Sequence, residues 1–150
     1  AGTQNLPAII GFEKAAKMTF DKIDENYKSV LDIKEYMIER LKEIKDIRIN
    51  SPLEDDFSPY ILNVSFIGAR AEVLLHLLED SKIYVATGSA CTSKSSAVSG
   101  SYVIKALGLN NKEVESAIRF SFGHDNKREE VDKTIEVLKT SLMFLRRLRK

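Results

Sequence analysis

The chain has 150 residues, 43% of them apolar, enough for one domain with its own core and no need of disulfides or metals. Its 23 basic and 22 acidic side chains leave a net charge of +1, which excludes nucleic-acid binding driven by bulk charge. The single cysteine cannot close an intramolecular disulfide, no Cys/His cluster supports a metal, and no apolar run spans a membrane. A reducing compartment, the cytoplasm, suits such a chain.

The N-terminal "AGTQNLPAIIGFEKAA" enters an apolar helix within a few residues and reads as though cut from something longer. After Pro7 the spacing of Phe20, Ile23, Tyr27, Val30, Met37, Leu41 and Ile44 predicts one stripe of a long helix, with a break or kink within Asp21 to Asn26. "RIN" at 48–50 is a short strand candidate, and "SPLEDDFSP" a surface loop. In "YILNVSF" (60–66), Tyr60, Leu62, Val64 and Phe66 alternate with Ile61, Asn63 and Ser65, which predicts a strand with one buried face.

"RAEVLLHLLEDS" reads as an amphipathic helix and "IYVAT" (83–87) as a short strand. A loop of small and hydroxylated residues, "TGSACTSKSSAVSG", leaves that strand's end. "SYVIKALGL" predicts a short helix closed by Gly108, and "AIRFSFG" (117–123) a second alternating strand. Asn126 and Glu129 have capping-box spacing ahead of a helix that ends in "FLRRLRK", a solvated, cationic helix end. The order predicts a two-layer α/β (α+β) domain over 1–150, a small mixed or antiparallel sheet covered by helices.

Three residues stand out for chemistry. Cys91 is either a small buried hydrophobe or an accessible thiol. Its neighbours offer no apolar partners, and Lys94 could lower its pKa or steady a thiolate. Arg119 shares a strand face with Ala117, Ser121 and Gly123, which leaves room for a planar carboxylate to dock bidentately; a solvent-facing arginine is the alternative. Thr3, beside Gly2 ahead of a helix, is a phosphate contact or simply a capping or turn threonine. His76 reads as solvated, His124 as a turn residue, and Asn63 is open to either purpose.

Together, "GTQNLP", "YILNVSF", "ARAEVLLHLLEDSKIYVATGSACTSK", "YVIKALGL" and "IRFSFG" resemble the C-terminal portion of a cysteine desulfurase of the NifS/IscS type. These are pyridoxal-phosphate enzymes of the class V aminotransferase fold. The resemblance implies the C-terminal small domain of a fold-type I enzyme. It implies Cys91 as the thiol that takes sulfur from L-cysteine and becomes a persulfide, with alanine released. It implies Arg119 as the carboxylate ligand, and Thr3 as a contact to the cofactor phosphate of the neighbouring subunit in a homodimer. The sulfur would pass to an acceptor protein such as an iron–sulfur scaffold.

The sequence departs from the pattern in places. The segment after Cys91 is about two residues longer and lacks a Glu-Pro pair, and His124-Asp125 replaces an Arg-aromatic pair. Neither histidine precedes a lysine, so the Schiff-base lysine is not in this chain, and the cofactor-binding large domain is expected upstream. The isolated chain is therefore expected to be inactive. A stand-alone sulfur relay accepting persulfide on Cys91, and a purely structural α/β domain, are the competing readings.

Overall fold

A computed structural model describes residues 2–51, 53, 57–87 and 106–148. Cys91, its loop, and most of the helix expected over 101–109 lie outside the described residues. Gly108 is described, and its φ of +78° is the left-handed conformation that a helix-closing glycine supplies.

The long N-terminal helix is two helices, α1 (Leu6–Phe20) and α2 (Ile23–Leu41), with the break at Asp21–Lys22. The expected single stripe divides at the same place. Val30, Ile33, Met37 and Leu41 are buried to 4% exposure or less, whereas Phe20, Ile23 and Tyr27 are exposed. No residue of α1 is buried, and Leu6, Ile9, Ile10, Phe12 and Met18 all face outward.

The strands are β1 (Ile47–Ile49), β2 (Ile61–Phe66), β3 (Ala86–Thr87) and β4 (Ala117–Ser121). They form an antiparallel sheet in the order β1-β2-β4-β3, which resolves the expected mixed-or-antiparallel sheet as antiparallel among the described residues. Alternation places Leu62, Val64, Phe66, Ile118 and Phe120 on one face, each 5% exposed or less. Helices α2, α3 (Ala71–Asp80) and α5 (Arg128–Arg147) cover that face, with α5 contributing Val131, Ile135, Leu138 and Leu142 at helical spacing.

A short helix α4 (Asn111–Glu115) precedes β4 and has no counterpart among the elements expected from sequence. Its capping box is complete: Glu113 N–H donates to Asn110 Oδ1 at 3.1 Å, and Asn110 N–H donates to Glu113 Oε2 at 2.8 Å. The cap expected from Asn126 and Glu129 falls one residue later. Glu130 Oε2 accepts from Lys127 N–H at 2.9 Å, and lysine has no side-chain acceptor to return the bond. Asn126 instead supports the turn, accepting from Gly123 N–H at 2.7 Å.

Ion pairs stitch α2 to α5, Arg40 with Asp132 and Arg128 with Asp32, and Lys139 of α5 pairs with Glu43 in the turn after α2. The C-terminal cations are more than a solvated end. Arg146 donates to the carbonyls of Ile67 and Asp46, each at 3.0 Å, and ties α5 to two loops. Lys34 of α2 is 1% exposed. Its Nζ donates to Ser58 O at 2.9 Å, and burial lowers its pKa. No helix among the described residues is long and apolar enough to cross a membrane.

Candidate functional site

The polar face of the sheet carries the candidate site. Odd positions of β2 and β4 put Ile61, Asn63 and Ser65 beside Ser121, Arg119 and Ala117 in antiparallel register. At one end, α4 and Leu109 cover this face, so Ala117 and Ser65 are 2% and 0% exposed. At the other end, Ser121 is exposed. Arg119 lies between, half-buried, with Asn63 on one side and Ala86 of β3 on the other.

Of the small residues expected beside Arg119, Ala117 and Ser121 lie on its strand and Gly123 lies past the end of β4, while Ala86 across the ladder is a further small neighbour. Its Nε is buried and has no hydrogen-bond partner among the described residues. The residue as a whole is only half-buried. An unpartnered guanidinium N–H retains hydrogen-bonding capacity that the described residues do not use.

A hydrogen-bonded chain runs beside it. Asn50 Nδ2 donates to Asn63 Oδ1 at 2.7 Å and to Ser65 Oγ at 2.9 Å, and Ser65 Oγ donates to Glu113 O at 2.8 Å. Glu113 also pairs with Arg48 at 2.9 Å. That pair, and the Asn110 N–H, hold its carboxyl below the usual range. Sequence reading placed Asn63 and Ser65 on this face but singled out only Asn63, and it took Asn50 only as the end of the strand candidate "RIN". Two polar positions alternating with apolar ones read as a solvated face, and nothing local signals that α4 buries Ser65.

Thr3 is exposed. The helix behind it is capped by Asn5, whose Oδ1 accepts from Ala8 N–H at 3.2 Å, so the capping role weighed for Thr3 belongs to Asn5. Since no α1 residue is buried, nothing described packs Thr3 toward Arg119. His76 pairs loosely with Glu79 at 3.4 Å on an exposed helix face, and His124 sits beside Asp125 at 3.1 Å in a turn, the placements expected for them. A cleft of about 240 Å³ bounded by Met37, Tyr84, Phe122 and Thr134 opens elsewhere and contains neither Arg119 nor Thr3. Among the described residues, no group of three or more His, Cys, Asp or Glu could hold a metal ion.

A two-layer α/β domain with a half-buried arginine among small residues on the polar face of its sheet is the class these features define. Residues 1–134 match the family described as aminotransferase class-V, and the chain belongs to that family. Cysteine desulfurase IscS of Vibrio cholerae is 36% identical over 146 residues, 97% of this chain and 35% of that protein. IscS of Escherichia coli is also 36% identical, over 148 residues, 99% of this chain and 35% of that protein. Among solved structures, a NifS-like protein superposes with a TM-score of 0.78 at 29% identity, covering 96% of this chain and 35% of that one. The chain spans about a third (35%) of the length of the curated relatives it matches.

Proposed function

We propose that this chain is the C-terminal, small-domain part of a cysteine desulfurase. The observation that carries the reading is the match to IscS proteins over 97% of the chain or more, in which the only cysteine and the unspent arginine fall within one aligned segment. Arg119 would bind the α-carboxylate of L-cysteine through paired N–H···O bonds and so orient the substrate's sulfur. The Cys91 thiolate would attack that sulfur. The new S–S bond forms as the Cβ–S bond breaks, its electron pair leaves with carbon, and a proton on that carbon completes L-alanine. L-cysteine and a thiol thus become L-alanine and a persulfide, with atoms and electrons balanced.

Pyridoxal phosphate, when bound, supplies the electron sink such chemistry needs. Thr3, which is exposed and does not cap α1, would contact its phosphate across a homodimer. The lysine and the remaining cofactor ligands belong to the upstream large domain. That domain would also cover α1, whose apolar residues are left exposed by the described residues. The persulfide would go to a sulfur acceptor, such as an iron–sulfur scaffold, in the cytoplasm.

The test is alanine release from L-cysteine with pyridoxal phosphate supplied. The 150-residue chain alone is expected to release none. The polypeptide that also carries the large domain is expected to turn over, and to stop on Cys91→Ala. Turnover by the 150-residue chain would refute the division of labour.

A further inference from the structure

The hydrogen bonds beside Arg119 have a direction that can be worked out. Ser65 Oγ lies 2.8 Å from Glu113 O, and a carbonyl oxygen can only accept, so the Ser65 proton is committed there. Ser65 Oγ must then receive its other bond, and Asn50 stands 2.9 Å away, so Asn50 presents Nδ2 rather than Oδ1. The second proton of that Nδ2 meets Asn63 at 2.7 Å, so Asn63 presents Oδ1 to Asn50. The Asn63 Nδ2 is left on the side away from Asn50. Asn50 extends β1, which flanks β2 on one side, and β4 with Arg119 flanks it on the other.

Asn63 and Arg119 are register partners on one face, which places their Cβ atoms about 4.5–5.5 Å apart. Neither Asn63 Nδ2 nor Arg119 Nε has a hydrogen-bond partner among the described residues. The orientation also leaves the buried Asn50 Oδ1 without a partner among them, so it is not the arrangement that best satisfies Asn50 itself. We propose that Asn63 is a second donor of the carboxylate site, its amide turned toward the ligand by the chain running from α4 through Ser65 and Asn50. The amide donates to one carboxylate oxygen alongside the paired bonds from the guanidinium, and Ser65 and Asn50 act as positioning residues. The ligand is the α-carboxylate of a small amino acid. This rests on the reading of Arg119 given above and extends it to a residue pair and a network.

The experiment is a ¹⁵N NMR titration of the 150-residue chain with L-alanine and with acetate, with ethylamine as the carboxylate-free control. The Arg119 Nε–H and Asn63 side-chain amide signals are expected to move together, with one Kd, for the two carboxylates and not for ethylamine. Asn63→Ala is expected to weaken binding about tenfold. Asn50→Ala should weaken it less, with the Asn63 amide responding more weakly. Movement of Arg119 alone, with unchanged affinity in Asn63→Ala, would overturn the role of Asn63 and leave the arginine reading standing. Movement of neither signal would remove both. If Asn63→Ala does not fold, the titration of the unaltered chain still decides.

Discussion

A buried donor without a partner costs a folded protein about 1–3 kcal/mol, and Arg119 Nε is such a donor among the described residues. Packing does not require an arginine there, since Ala117, Ser121 and Ala86 around it are small. Residues held for a ligand show this signature: they weaken the empty protein and act when the ligand arrives. Arg119→Met is therefore expected to leave the chain at least as stable as before, with a urea midpoint equal or higher, while the response of this face to carboxylates disappears. A lowered midpoint would mean that Arg119 is a structural residue. The single positions readable from sequence alone were those whose neighbours in sequence are also their neighbours in space. Arg119 among its small strand-mates is one. Asn50 is not, because its partners Asn63 and Ser65 lie 13 and 15 residues away.

At the scale of elements, α4 shows how a short helix can organise a site. It has five residues, too few to be stable by itself, and depends on its capping box and on Val114 packed with Leu109 and Ala117. The N-x-x-E spacing of Asn110 and Glu113 was present in the sequence. It escaped notice because no apolar periodicity can develop over five residues. The long helices and central strands were legible for the opposite reason, their apolar repeats being long enough to fix a face.

Glu113 also links α4 to β1 through Arg48. Arg48 and the Asn110 N–H lower the Glu113 pKa from 4.5, so the folded state holds its proton more weakly than the unfolded state. That contribution is complete above the unfolded value and is lost as pH falls through the lowered one. Glu113→Gln keeps the cap but not the charge. The stability advantage of the unaltered chain over this variant is expected to shrink between about pH 6 and pH 3, as followed by urea unfolding. An advantage independent of pH would assign the effect to the cap alone.

Across the whole molecule, apolar surface is divided unevenly. The core residues of α2, α3, α5 and the sheet are sealed, while α1 displays apolar side chains with none buried. A helix apolar on several sides ordinarily lies inside a larger structure. Two substitutions separate these regions. Leu138→Ala, at a fully buried position, is expected to cost about 2–5 kcal/mol in urea unfolding. Phe12→Ser, at a position 77% exposed, is expected to change stability by no more than about 0.5 kcal/mol and to reduce binding of a hydrophobic dye. A large loss from Phe12→Ser would show that α1 is part of this chain's own fold. The division between exposed and buried could not be read from sequence, because the three- and four-residue spacing runs from Phe20 across the break through Ile23 and Tyr27 to the buried Val30.

The last ladder residues of β3 set a tether. Ala86 is the register partner of Arg119, and Thr87 follows it as the final residue of the strand. Only four peptide units separate Thr87 from Cys91. Covalent geometry alone keeps the two Cα atoms within about 14 Å, whatever path the intervening residues take. The sheet thus fixes one end of a short leash beside the arginine, and an acceptor collecting sulfur from that thiol would have to come within its radius. Each inserted residue would lengthen the leash by about 3.3–3.6 Å, so the register of a two-residue strand sets the range over which the thiol can work.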